Sequence, residues 1–148
     1  MNTITRWRQQ GLATLEMAIV GALMMLMLFA LLEFGRLLWT WGTLAEVTRH
    51  TARAAAVCER DQEAVYHVAV FGNIHGNGST VLPDLTAANI QVEYDDDADG
   101  EPQFVRVSIV DYDIRLAIPM VNVSLTAPPF TTTQPVESLG KVITCKVY

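Results

Sequence analysis

Acidic residues are missing from the first 15 positions, and charge of either sign is missing from residues 17–32. The first absence leaves Arg6 and Arg8 unopposed near the N-terminus, and the second excludes a solvated surface for the run that follows. The chain also has little that carries chemistry. No glycine-rich phosphate loop, nucleophile elbow or paired-carboxylate cleft can be argued from its spacings, and His50, His67 and His75 lack metal-ligand spacing. Asp95, Asp97, Asp99 and Gly100 match the first half of a calcium loop, but the twelfth position is Arg106, a cation where a bidentate carboxylate is needed. No enzyme, metal site or cofactor is expected. Internal repeats and long low-complexity segments are absent too, so a single ordinary domain is expected outside the apolar run.

The first 57 residues organise the rest. Residues 12–32 are about 21 residues, roughly 32 Å at ~1.5 Å per residue, close to the hydrocarbon thickness of a bilayer. With Arg6 and Arg8 before this span, the short N-terminus is expected to stay in the cytoplasm and the remainder to be exported. Beyond it Phe34, Leu37, Leu38, Trp41, Leu44, Ala45, Thr48, Ala52, Ala55 and Ala56 recur at three- and four-residue steps among Glu33, Arg36, Glu46 and Arg49. That spacing predicts one helix continuing to Val57, with a one-sided stripe that needs a partner. Trp39 and Trp41 suit the outer headgroup layer, where an indole is both buried and hydrogen-bonded.

Three stretches together carry a resemblance: Gly11-Leu12-Ala13-Thr14-Leu15-Glu16-Met17-Ala18, then Leu32-Glu33-Phe34-Gly35-Arg36 after the apolar run, then the Thr-Arg-His-Thr-Ala-Arg-Ala-Ala-Ala-Val of residues 48–57. They resemble the N-terminal segment of the TadE/TadG-like family, the pseudopilins of the tight-adherence (Flp, type IVc) pilus system. A glycine, a glutamate five residues on and a Glu33-Phe34-Gly35-Arg36 box at the membrane exit fall in the family's order. Met17 stands where the family more often has an aromatic residue. The resemblance implies that a prepilin peptidase cuts between Gly11 and Leu12 and that Glu16 matters for processing or assembly. It also implies other pilins and the pilus assembly platform as partners. A TadG-type member would carry a long additional domain, so a TadE-type chain is expected. An ordinary signal anchor and a removable secretory signal are the alternatives; a secretory signal has a shorter apolar core followed by small residues.

The expected organisation is a leader at 1–11, the transmembrane half of the helix at 12–32, its amphipathic half at 33–57 and a small periplasmic α+β domain at 58–148. Net charge is −6, and a cut after Gly11 would remove two arginines, which argues against nucleic acid and anionic headgroups as partners. Cys58 and Cys145 are the two cysteines, both on the exported side. In an oxidising compartment an even count favours a disulfide, and Ile143, Cys145 and Val147 share one face of a terminal strand that would pack on the helix. Two buried free thiols are the alternative.

Further along, Asp61 is a candidate N-cap for a short helix over 62–71, with Val65, Val68 and Ala69 on its apolar face. Glu63 and His67 lie one turn apart there and read as a solvated pair. Residues 72–80 read as a loop and 81–88 as a connector around Pro83. Asn77-Gly78-Ser79 and Asn122-Val123-Ser124 fit the glycosylation acceptor pattern, which has no meaning in a bacterial host. Ile90, Val92 and Tyr94 alternate with polar residues, as do Val105, Val107 and Ile109, which predicts a hairpin. After Ile109 the apolar parity slips by one, so a bulge, bend or strand end is expected at 109–111. Residues 123–135 are rich in Thr and Pro, Pro128-Pro129 excludes a central strand there, and residues 136–148 are expected to close the sheet.

The architecture expected is therefore pilin-like α+β: a long N-terminal helix, its outer half on a small antiparallel sheet, with a short second helix. The function expected is structural, a minor pilin in the bacterial inner membrane with its C-terminal domain in the periplasm. No nucleic acid or small-molecule substrate is expected. The alternative is an uncleaved, signal-anchored periplasmic interaction or sensing domain unrelated to pili.

Overall fold

The computed structural model describes residues 3–58, 62–98, 100, 102–118 and 121–136. Helix α1 runs Thr3–Val57, α2 Gln62–Phe71, and a 3-10 turn Ala87–Asn89 leads into five strands. These are β1 (Ile90–Asp96), β2 (Pro102–Ile109), β3 (Asp113–Ile118), β4 (Val121–Thr126) and β5 (Phe130–Pro135). The fold is α+β, with an antiparallel sheet in the order β1-β2-β5 and a separate two-stranded sheet, β3-β4. Internal contacts divide the chain into two compact units, the second beginning at Leu38.

The second unit holds the core. From α1 it takes Leu44, Val47, Thr48, Thr51, Ala52, Ala55 and Cys58, all buried, at the three- and four-residue steps that stack side chains on one helix face. The inner face of the sheet supplies Ile90, Val105, Val107 and Ile109. Full burial of a side chain such as Leu44 or Val107 stabilises by about 1.5–3 kcal/mol. Helix α2 begins and ends where the sequence places it, but buries Ala64, Val65, Ala69 and Val70, with Val68 only partly covered. Gly72, at φ 72°, stops it by entering the left-handed region that closes a helix C-terminus. Its expected N-cap, Asp61, lies outside the described residues.

The loop at 72–80 is folded around one side chain. Asn73 Nδ2 donates to the carbonyls of Phe71 (3.1 Å) and Asn77 (2.8 Å), while its Oδ1 accepts from the backbone N–H of His75 (3.1 Å) and Asn77 (3.3 Å). The connector at 81–88 is anchored by Leu82 and Leu85, both buried to within 2% exposure, where the sequence offers no period to announce them.

The predicted hairpin forms, with Ile90 facing Ile109, Val92 facing Val107 and Tyr94 facing Val105. The parity slip is resolved by a strand end. Val110 leaves the ladder and Asp111 adopts φ 52°, a conformation Asp tolerates better than most residues. Asn89 fastens this corner, its Nδ2 donating to the carbonyls of Val110 (3.3 Å) and Asp111 (2.9 Å), and Val110 N–H returns to Asn89 O at 2.9 Å. Tyr112, buried just past the corner, donates its hydroxyl to Pro83 O at 2.8 Å. The chain can then restart with Tyr112 and Ile114 inward.

No central strand passes through the Thr- and Pro-rich stretch, as expected, but edge strands do. Two strands lie in or across it, β4 before Pro128-Pro129 and β5 after, with the proline pair confined to the turn between them. Strand β5 sits at the edge beside β2, from Phe104↔Pro135 to Ile109↔Phe130, so the prolines cost no central ladder bond. The expected closing strand at 136–148 lies, apart from Val136, outside the described residues.

Candidate functional site

The segment singled out by sequence lies along α1. Gly11 and Leu12 are both helical, and Leu12 and Glu16 are exposed one turn apart. Every side chain from 12 to 32 is exposed, and the most apolar 18-residue window has mean hydropathy 2.4 and none of it buried within the chain. An exposed apolar surface of this length has the dimensions of a membrane span and no partner in its own fold.

At the exit box, Arg36 pairs with Glu33 through both guanidinium arms, Nε donating to Oε2 at 3.2 Å. The i,i+3 spacing puts both charges on one side of the helix, each compensating the other. Phe34 is 58% exposed, and a side chain at Gly35 would meet nothing within 4 Å. The box therefore combines a self-neutralised ion pair with an open aromatic and a bare stretch of backbone.

In the second unit the helix stripe is redrawn. Leu44, Thr48, Ala52 and Ala55 of the predicted set are buried, Trp41, Ala45 and Ala56 are half-buried and Leu38 is 48% exposed. Thr40, Val47 and Thr51, absent from that set, are buried in their place. Thr48 Oγ1 donates back to the helix carbonyls of Leu44 (3.3 Å) and Ala45 (2.9 Å) and accepts from Thr132 Oγ1 of β5 at 3.2 Å. The helix reaches β5 through the Thr48–Thr132 hydrogen bond, and Thr40, Thr48 and Thr51, at eight- and three-residue intervals, form a buried threonine seam that apolar periodicity alone does not register. Trp39 is 60% exposed, whereas Trp41 Nε1 is buried without an acceptor among the described residues. Leaving such a donor unpaired costs about 1–3 kcal/mol. Only Trp39 keeps the exposure expected of a headgroup anchor.

Cys58 is buried at the end of α1, and there is no free cysteine among the described residues. Cys145 lies outside them. Of the remaining candidates, Arg106 lies across from Glu93 at 3.8 Å, both side chains well exposed. His50 pairs with Glu46 at 3.2 Å. His67 does not pair with Glu63: its Nδ1 lies 3.2 Å from Ile74 O, and the ring stands edge-on to Phe71. A shallow depression of about 700 Å³ lies over the hairpin between Glu93, Asp95, Phe104 and Arg106, with no convergent set of buried polar groups.

Among the described residues one helix is long and apolar enough to cross a membrane, and a small α+β unit follows it in the chain. Residues 11–53 match the family model described as TadE-like protein, so the recognition made from the motifs holds over that segment. No curated protein and no solved structure matches the chain. The match lies within α1 and covers less than half of the chain.

Proposed function

We propose that the chain is a minor pilin, a pseudopilin required for assembly of Flp-type tight-adherence pili, cut by a prepilin peptidase between Gly11 and Leu12. The observation that carries this reading is where the family match falls. It opens at Gly11 and runs through Glu16, the apolar run and the Glu33-Phe34-Gly35-Arg36 box to Arg53, so the likeness lies on the anchor and its exit. In this reading 1–11 is the leader, 12–32 the span, 33–57 the outer half of the helix and 58–148 the periplasmic domain. In this reading Cys58 and Cys145 form a disulfide, consistent with an oxidising periplasm.

After cleavage the span keeps the subunit in the inner membrane until the assembly platform or other pilins recruit it. The exposed surface of residues 12–32 supports this, because lipid and neighbouring helices are interchangeable apolar surroundings and a subunit can leave one for the other at little cost. The test is the N-terminus of protein extracted from membranes of its own host. Mass spectrometry should find Leu12 as the first residue; intact Met1 on the mature protein would reject processing and return the chain to a signal-anchored domain.

A further inference from the structure

We propose that Asn77 is a site of spontaneous deamidation, in which the backbone nitrogen of Gly78 attacks the Asn77 side-chain carbonyl carbon. The new N–C bond closes a five-membered succinimide and the carboxamide nitrogen leaves as ammonia, carrying the proton lost from Gly78 N. Water then opens the ring at either carbonyl, giving aspartate or isoaspartate.

The chain contains its own comparison. Asn2, Asn73, Asn89 and Asn122 are each followed by Thr, Ile or Val, whose branched Cβ crowds the attacking nitrogen; Asn77 alone precedes glycine. The fold adds to this difference. Asn77 and Gly78 are exposed, and among the described residues nothing holds the Asn77 carboxamide and nothing accepts the Gly78 N–H. Gly78 sits at φ 105°, with open space where a side chain would stand. Asn73, in the same loop, is the opposite case, with both ends of its carboxamide held by four hydrogen bonds to the main chain.

The product differs from the parent in two ways. One carboxylate is added to a chain whose net charge is already −6. In the isoaspartyl form the main chain also runs through the former side chain, and the Asn77 carbonyl that Asn73 Nδ2 grips at 2.8 Å becomes a free carboxylate. One side of the clamp in the loop at 72–80 is then a charged group outside the main chain, so the surface the loop presents changes with the age of the molecule.

The experiment holds the full chain in detergent micelles in mildly alkaline buffer and samples it over days. Peptide mapping and isoaspartyl-specific enzymatic methylation then read each asparagine. Loss of the Asn77 amide into an aspartyl and isoaspartyl pair is expected while Asn73 and Asn89 remain amides, with the new acidic species absent from Asn77→Gln. An Asn77 amide as long-lived as those of Asn73 and Asn89 would overturn the proposal, as would acidic species that persist in Asn77→Gln.

Discussion

Two stretches of α1 have opposite fates. Residues 12–32 are almost wholly apolar and entirely exposed, whereas residues 40–58 carry Thr40, Thr43, Glu46, Thr48, Arg49, His50, Thr51 and Arg53 and yet supply the helix's share of the core. Burial within this chain follows pattern and not apolarity. A helix that is hydrophobic all round has no preferred face, and its surroundings must come from lipid or from other helices. A helix with one small, smooth face, here built of threonine and alanine around Leu44 and Val47, fits closely against a sheet. Leu44 and Met25 make the sharpest contrast. Leu44→Asp places an unpaired carboxylate in a site that is fully buried, which costs more than most domains of this size can tolerate. The cooperative unfolding transition of the second unit should vanish, while Met25→Ala, at a position 60% exposed, should leave that transition where it is. A folded Leu44→Asp protein would show that the outer half of the helix is not committed to its own core.

The next largest effect expected is at the disulfide. A bridge between Cys58 and Cys145 closes a loop of nearly ninety residues, for which the chain-entropy relation gives about 4–5 kcal/mol, less if the bridge is strained. Cys145→Ala should lower the melting temperature of the second unit, and the wild type should migrate faster on nonreducing gels. Two titratable thiols in unreduced, denatured wild type would remove the bridge from the picture.

What the sequence makes legible follows the same division between pattern and partner. The β1–β2 hairpin was readable because Ile90, Val92, Tyr94, Val105, Val107 and Ile109 alternate with polar residues, and the corner at Asp111 because alternation cannot change parity inside a strand. Strand β5 was hidden because its inward residues include Thr132 and Gln134, polar side chains that face a threonine seam and leave no apolar alternation. Leu82 and Leu85 were hidden for another reason: they are single anchors in an irregular segment, and periodicity detects only repeats. The candidate site differs from both. Gly11, Leu12, Glu16 and the Glu33-Phe34-Gly35-Arg36 box are visible as a motif, but in the assembly proposed above their surroundings would belong to other molecules, so one chain's fold carries little of their chemistry.

On the exposed side of the outer helix the effects should be small. Arg49 lies 3.4 Å from Glu46 with both side chains 55% exposed, an ion pair worth little against side-chain entropy and screening. Arg49→Ala should change the stability of the second unit by no more than about 0.5 kcal/mol in denaturant unfolding. A loss several times larger would mean that this face, too, is part of the core.

The smallest effect on folding, and the most informative for function, is expected at Glu16. Its side chain is exposed on a helix surface that is otherwise apolar, so removing it disturbs no core. Insertion should survive as well. An acidic residue costs up to roughly 2.5–3.5 kcal/mol at the centre of a membrane helix and less near its end, so alanine makes insertion easier. On a helix that begins at Leu12 after the proposed cut, a bare carboxylate one turn in would gain about 0.3–1 kcal/mol from the helix dipole, and if that were its whole role Glu16→Ala would be silent. The cleavage proposed after Gly11 would also give it a partner. The new amine of Leu12, with an unperturbed pKa of about 7.7–8.0, is charged at neutral pH and stands one turn from Glu16. Between subunits, the amine of an incoming chain can reach the glutamate of its neighbour. Two charges that are each costly in a low-dielectric assembly compensate one another only when the subunits are in register. We therefore expect Glu16→Ala to insert normally yet lose leader removal, association with other pilins, or both. N-terminal sequencing and co-purification measure the two separately, and wild-type behaviour in both assays would reduce Glu16 to a helix-terminal charge.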